Sequence, residues 1–206
     1  MAPKAKMIYF PFHGLGEPLR FMMAYTNVEW EEEIISVEDF PAKKPSYPFG
    51  KLPVLEMDGL RMHQSAAILR YLARKAGGTL YGQNEFEALQ CDIAYDTITD
   101  LRVMMLGYFY EPNKASADEK RKEVLENLAP MYLRNLEKLV NENGGYFVGG
   151  QLTWVDIAYG SLIDYLSHMA GKELVADKPA LKALRDRVFA LPAIKKYVET
   201  RVKYPY

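Results

Sequence analysis

The chain is poor in the residues that build disulfides and metal centres. Its 206 residues include one cysteine, Cys91, and three histidines. A single cysteine excludes an intrachain disulfide, and the three histidines lie too far apart in the sequence to show a zinc-ligand spacing. We therefore expect no metal site and no metal-assisted hydrolysis. A chain without disulfides is typical of a reducing compartment, and we expect a cytoplasmic protein.

An excess of charge of one sign and a long apolar run are also lacking. The formal net charge is −1, so the composition does not indicate a nucleic-acid partner. No apolar run approaches the ~20 residues of a membrane span, and we expect no membrane partner. Hydrophobic residues make up 49% of the chain and charged residues 26%, which is the balance of a globular protein.

Complete glycine-rich phosphate-binding loops are absent as well. Gly14-Leu15-Gly16 begins like a dinucleotide fingerprint, but Leu19 stands where the third glycine belongs. Hydride transfer is therefore not expected. Cys91 lies in an apolar helical stretch, which favours a buried, inert thiol over a nucleophile.

Residues 1–78 predict a small mixed α/β domain. A strand over Lys6–Phe10, a helix over Glu17–Thr26 and a strand within Val28–Val37 form a βαβ pattern, which implies a parallel pair. The Asp58-Gly59 turn predicts an antiparallel hairpin between two further short strands. A helix then begins near Ser65, so the order is β-α-β followed by β-β-α.

From residue 85 onward we find only helical periodicity. Apolar residues recur three and four positions apart in several segments, which are separated by the glycine pairs at 144–145 and 149–150. We expect a linker over residues 79–84 and an all-helical domain over residues 85–206.

Two short motifs leave two interpretations open. Pro53 begins a strand; a trans proline in a plain loop-to-strand turn is favoured by spacing alone, and a cis bond that presents the backbone to an extended peptide is the alternative. Ser65 begins a helix; it either caps that helix or, with Gln64, binds a ligand carboxylate at the helix N-terminus.

Two further motifs stand near the ends of predicted elements. Tyr9 ends the first strand; its hydroxyl either donates to an anion such as a thiolate or, as is usual for one of fifteen tyrosines, the ring only packs. Thr153 and Asp156 form a capping-box pattern ahead of an apolar helix. We expect this structural cap to define the start of a core helix and to carry no chemistry.

Together these motifs resemble the glutathione transferases of the sigma class. The motifs lie in family order along essentially the whole chain: Tyr9-Phe10-Pro11, residues 48–55, Asp58-Gly59, His63-Gln64-Ser65, Asp96-Thr97 with Asp100, and Leu152-Thr153-Trp154 with Asp156. The resemblance implies a thioredoxin-like N-terminal domain, an all-helical C-terminal domain, a homodimer and glutathione as co-substrate.

The resemblance also implies roles for individual residues. Tyr9 corresponds to the catalytic tyrosine that stabilises the glutathione thiolate, and Asp100 to the acid that reaches the γ-glutamyl amine across the dimer. The remaining residues of the implied glutathione site are Phe40, Lys44, Lys51, Leu52, a cis Pro53, Gln64 and Ser65. Phe40 stands where many members have tryptophan, and Leu15 where vertebrate members have arginine.

An apolar electrophile is the expected second substrate, because a thiolate is a soft nucleophile. We expect its pocket to contain Phe10, Leu15, Arg102, Met105, Phe109 and Tyr206. For Arg102 a solvated helix face is the favoured alternative, and for Met23 and Met104 core packing is the alternative to ligand contact.

Three functions follow from the resemblance. The leading hypothesis is conjugation of glutathione to apolar electrophiles, including lipid-peroxidation aldehydes, in detoxification. A glutathione-dependent prostaglandin isomerase is the first alternative. A non-catalytic ligand-binding or structural protein similar to the lens S-crystallins is the second.

Overall fold

The computed structural model describes residues 5–204. Tyr206, assigned above to the electrophile pocket, lies outside the described residues. The packing divides the chain into two compact units. One unit runs to Gly77 and includes the segment from Ala190 onward, and the other is Gly78–Phe189. The sequence predicts the linker over residues 79–84 and the helical domain over residues 85–206; in this division the units meet at Gly77 and Gly78, and the last helix groups by packing with the first unit.

A four-stranded mixed sheet forms the centre of the first unit. Its strands are β1 (Ala5–Tyr9), β2 (Trp30–Ile34), β3 (Val54–Met57) and β4 (Leu60–His63). The described strands lie in the order β2-β1-β3-β4, with β1 parallel to β2 and antiparallel to β3. The predicted parallel pair and the predicted hairpin are therefore both confirmed. Asp58 and Gly59 have positive φ values of 55° and 73°, as a tight hairpin turn requires.

Four α-helices complete the described part of the first unit. They are α1 (Glu17–Tyr25), the short α2 (Phe40–Lys43), α3 (Ser65–Ala76) and, from the C-terminal segment, α9 (Pro192–Thr200). Two single-turn 3₁₀ helices, Lys44–Ser46 and Pro48–Gly50, lead towards β3. Both α3 and α9 pack on α1, so α1 is enclosed and its residues 17–23 are buried.

The described part of the second unit is entirely helical. It contains α4 (Glu85–Phe109), α5 (Lys114–Glu123), a π-helical turn (Val124–Leu128), α6 (Ala129–Glu142), α7 (Trp154–Ala170) and α8 (Pro179–Ala190). The all-helical prediction is confirmed. None of the described helices is long and apolar enough to cross a membrane.

The predicted capping box is present at the start of α7. The Asp156 carboxylate accepts hydrogen bonds from the Thr153 N–H and hydroxyl at 2.7 and 2.8 Å, and from the Phe147 N–H at 2.9 Å. Burial raises the pKa of Asp156 to about 6, and these hydrogen bonds oppose that rise. The cap defines the start of α7, whose residues are mostly buried and which packs along α4.

Candidate active site

Tyr9 is held at the C-terminal end of β1 by the loop that follows it. The side chain is 5% exposed, and its hydroxyl oxygen accepts a hydrogen bond from the Leu15 N–H at 2.9 Å. Phe10 and Phe12 both pack edge-on against its ring, with ring centroids 5.6 Å away. Since an accepted hydrogen bond polarises the O–H bond of a phenol, this contact makes the Tyr9 hydroxyl a stronger donor.

Two glycines allow the loop to lie directly on the Tyr9 side chain. A Cβ atom at Gly14 would stand 2.6 Å from the Tyr9 hydroxyl oxygen, and one at Gly16 would stand 2.4 Å from Tyr9 Cδ1. Neither distance is compatible with a real side chain. Gly14 and Gly16, which begin like a dinucleotide fingerprint, therefore leave the space that the Tyr9 side chain occupies in this structure.

A buried ion-pair network lies next to Tyr9. Arg20 and Glu17 are each 1% exposed, and their side chains are joined at 3.1 Å. Arg20 also donates to both carboxylate oxygens of Glu32, at 2.9 and 3.0 Å, and to the Phe12 carbonyl at 3.2 Å. Its guanidinium lies 5.8 Å from the centre of the Tyr9 ring.

The network keeps both buried groups ionised. Burial by itself raises the pKa of Glu17, but the hydrogen bond from His13 and the charges of Arg20 and Arg201 outweigh it, so the pKa is lowered. Burial likewise opposes the Arg20 charge, and the hydrogen bonds and charges of Glu32 and Glu17 raise its pKa in spite of it. A buried charge pair that is fully hydrogen-bonded tolerates the loss of water in this way.

Three site residues lie side by side at one end of three neighbouring strands. Ile8 and His63 are both register partners of Val54, on opposite sides of it. The next position along each strand, at the same end, is Tyr9, Pro53 and Gln64. The Leu52–Pro53 peptide bond is cis, as the resemblance implies and against the expectation from spacing alone.

The start of α3 differs from the local expectation for Ser65. Gln64, not Ser65, is the residue that precedes the helix; its backbone has φ 71° and ψ 102°, and its side chain forms no capping hydrogen bond. Ser65 is the first helical residue and is buried. Of the two interpretations of Ser65, the one in which it caps its own helix is therefore wrong, because a residue within the first turn is already past the capping position.

Aromatic and basic residues border the same region of the first unit. Phe40 packs on the core cluster beneath it and meets the Phe10 ring edge-on, with centroids 4.8 Å apart. Leu52 packs on the same cluster. Lys44 and Lys51 are exposed, and the Lys44 stem lies so close to Gly50 that a Cβ atom there would be 2.9 Å from Lys44 Cε.

The remaining predicted residues belong to α4 in the second unit. Asp100 is exposed and Arg102 half-buried, and Arg102 Nε is buried without a hydrogen-bond partner among the described residues. Met105 is fully buried, so its side chain presents no surface to a ligand in this conformation. Phe109 is half-buried and packs edge-on against His168 at 5.9 Å. Met23 is fully buried, as core packing predicts, whereas Met104 is half-buried.

Comparison with known families identifies both parts of the chain. Residues 17–80 match the family model described as the glutathione S-transferase N-terminal domain, and residues 99–201 match the C-terminal domain. The chain belongs to the glutathione S-transferase family.

Relatives within the glutathione S-transferase family carry two kinds of name. Glutathione S-transferase S1 of Drosophila melanogaster is 39% identical over 95% of this chain and 78% of its own length. Hematopoietic prostaglandin D synthase of Gallus gallus is 38% identical over 98% of both chains. A solved structure of prostaglandin synthase D of Nilaparvata lugens is 37% identical, with a TM-score of 0.93 over 98% of this chain and all of its own.

Sequence reasoning missed several transferase residues that the structure places around Tyr9. Glu17, Arg20 and Arg201 were not singled out, and the glycine pair was set aside as a failed nucleotide motif. One signal was available for the first two: Glu17 and Arg20 carry opposite charges three residues apart in the predicted helix, a spacing at which side chains are neighbours. Charged residues are usually paired when they are buried.

Proposed function

We propose that this transferase conjugates the glutathione thiolate to apolar electrophiles, with Tyr9 as the catalytic residue. The observation that carries the proposal is the Tyr9 hydroxyl, fixed by the Leu15 N–H at the end of the sheet shared with Pro53 and Gln64. A thiol with an ordinary pKa of roughly 8.5 is only a few per cent ionised at neutral pH. A donor that lowers this pKa by about two units supplies about 2.7 kcal/mol and makes most of the thiol nucleophilic.

We place the remainder of the glutathione site around the same strand ends. The Leu52 backbone, which directly precedes the cis Pro53, pairs with the cysteinyl part of glutathione as an added strand. Gln64 and Ser65, at the start of the twelve-residue α3, bind the γ-glutamyl carboxylate among unpaired N–H groups. Lys44, with Lys51 and Phe40 nearby in sequence, faces the glycine carboxylate.

We propose a homodimer of the sigma type, in which Asp100 reaches the γ-glutamyl amine of the partner's glutathione. An exposed apolar stripe on α4 supports a second copy as the partner. Phe86, Leu89 and Ile93, spaced three and four residues apart, are 66%, 53% and 56% exposed. Phe49, in the first unit, is 83% exposed. Monomers rarely leave contiguous apolar patches uncovered.

The electrophile side is proposed to be apolar. Phe10 and Leu15 contribute from the loop around Tyr9, and Phe109, Arg102 and Met105 from α4; Met105 would have to move, since it is buried. Such a lining suits lipid-peroxidation aldehydes, and detoxification in the cytoplasm is the proposed role. The names of the prostaglandin D synthase relatives support a glutathione-dependent prostaglandin isomerase as the second candidate.

The first test is the initial rate of glutathione conjugation to a chloronitrobenzene and to an unsaturated aldehyde. Glutathione-dependent turnover of either establishes the transferase, and turnover of a prostaglandin endoperoxide instead favours the isomerase. Glutathione binding without turnover of any of the three substrates supports a carrier similar to the S-crystallins.

The role of Tyr9 is tested by Tyr9→Phe, which keeps the ring and removes the donor. We expect turnover to fall about 10- to 1000-fold, because one donor to the developing charge is lost. Phe12 packs against the same ring but offers no donor, so Phe12→Leu serves as the control and should cost much less. Unchanged turnover in Tyr9→Phe would refute the assignment.

A further inference from the structure

The C-terminal strap, residues Arg201–Tyr204, reaches back to the buried network beside Tyr9. Arg201 Nη1 donates to Glu17 Oε1. The Tyr204 ring lies 5.6 Å from the Arg20 guanidinium and meets the His13 ring edge-on at the same distance. The Arg201 guanidinium and the Tyr204 ring of the strap therefore contact the buried charges of Glu17 and Arg20.

The two residues that the strap contacts, Arg20 and Glu17, also hold the loop around Tyr9. Arg20 donates to the Phe12 carbonyl, and the Glu17 N–H donates to the His13 carbonyl at 2.9 Å. These two contacts hold Phe12 and His13, the residues from which the loop runs to Leu15. Leu15 in turn supplies the N–H bond to the Tyr9 hydroxyl. The strap is thus connected to the Tyr9 hydroxyl through Arg20, the Phe12 carbonyl and the short backbone segment from Phe12 to Leu15.

Removing the strap charge unbalances this network. Glu17 has 2% side-chain exposure and is placed between Arg201, Arg20 and His13. Without Arg201, Glu17 lacks one of its two guanidinium partners, and Arg20 is shared with Glu32 as before. A buried carboxylate that loses a cation draws the remaining one towards itself, which weakens the hold of Arg20 on the Phe12 carbonyl.

We propose that the C-terminal strap is a positioning element for the active site, in which Arg201 and Tyr204 fix Glu17 and Arg20 and thereby hold the Leu15 N–H on the Tyr9 hydroxyl. This inference rests on the proposed function. Arg201 and Tyr204 are positioning residues, since they act through Glu17 and Arg20 and are not themselves assigned a contact with substrate.

The test compares Arg201→Ala with Lys203→Ala. Lys203 lies two residues away in the same strap and is exposed, so its substitution removes the same charge without touching the network. The readout is the pKa of the glutathione thiol in the binary complex, followed by the ultraviolet absorbance of the thiolate. We expect Arg201→Ala to raise that pKa by about 0.5–1 unit, which is a three- to tenfold loss of thiolate below the pKa. Lys203→Ala should leave it unchanged.

A double variant separates positioning from a general loss of structure. In the Tyr9→Phe background the hydroxyl is gone, so Arg201→Ala should no longer shift the thiol pKa. Arg201→Lys, which restores the cation, should recover most of the shift. An equal shift in both backgrounds, or a lowered melting temperature with an unshifted thiol pKa, contradicts the proposal.

A second pair keeps the test decisive if Arg201→Ala does not fold. Tyr204→Phe retains the ring over Arg20 and should behave as the parent, whereas Tyr204→Ala should raise the thiol pKa. Equal values for the two variants contradict a role for the ring. If the parent itself binds glutathione without lowering its thiol pKa, the proposed function fails, and that outcome is separate from any difference among strap variants.

Discussion

Gly16 is a glycine for a steric reason and not for a conformational one. Its φ and ψ of −75° and −33° are open to any residue. A methyl group there would nevertheless lie 2.4 Å from Tyr9 Cδ1. Substitution at this position therefore displaces the tyrosine ring without straining the backbone.

We predict that Gly16→Ala lowers kcat/KM for conjugation by about 10- to 100-fold, because a displacement of about 1 Å at a reacting group has this effect. Gly107→Ala is the matched control: Gly107 is in the interior of α4, and a Cβ atom there would meet no other atom within 4 Å. The control should keep full activity and gain about 0.5–1 kcal/mol of stability. Full activity in Gly16→Ala contradicts the steric account.

Residues of the candidate site differ in how far the sequence could reveal them. Tyr9 and Pro53 could be singled out because each ends or begins a recognisable strand. The partners of Tyr9 could not, since Leu15 acts through its backbone N–H, and the strap residue Arg201 meets Glu17 across most of the chain. Contacts between residues so far apart depend on the folded path of the chain, which local patterns do not contain.

Asp156 stabilises the start of α7 by accepting three buried hydrogen bonds. Asp156→Ala leaves the Thr153 and Phe147 N–H groups without that acceptor, and we expect the free energy of unfolding at about pH 4 to fall by about 2–4 kcal/mol. The control is Asn84→Ala at the exposed start of α4, where the side chain accepts from the Glu87 N–H; it should cost about 1 kcal/mol. Urea unfolding of both variants measures the difference, and equal losses would argue against a special role for the buried cap.

The same comparison has a defined pH dependence. The Asp156 pKa is raised from 3.8 to about 6 in the folded state, so the folded protein binds more protons than the unfolded chain between these values. The stability contributed by Asp156 is therefore complete below pH 4 and is lost as pH rises to 6. The difference between parent and Asp156→Ala should shrink over this window, by at most about 1.4 kcal/mol per pH unit.

Elements with an apolar pattern were predictable, and those without one were not. The hairpin, α1, α3 and α7 follow from alternation, helical spacing and caps. Helix α5 has no buried residue and gives no apolar periodicity, so its sequence looks like a solvated linker. The exposed stripe of α4 gives the opposite error. Its apolar residues have clear helical spacing, which indicates a buried face, but they are exposed.

At the scale of the whole molecule, the exposed apolar stripe of α4 predicts a dimer that a single charged substitution dissociates. We expect the parent to sediment at twice the monomer mass at micromolar concentration. Ile93→Glu should sediment as a monomer, because a glutamate in the centre of an apolar interface loses its water without gaining a partner. Val37→Glu, at another exposed apolar residue in the first unit, should remain a dimer. A monomeric parent, or an intact dimer in Ile93→Glu, contradicts this assignment.

The position of Cys91 has a consequence for a protein that handles electrophiles. It is the only cysteine in the sequence, it is buried, and burial raises its pKa to about 12. The thiolate is the form that reacts with alkylating agents, so Cys91 stays inert at neutral pH. The reactive sulfur of the proposed reaction arrives with glutathione and leaves with the product, and the buried thiol of the chain does not compete with it for the electrophile.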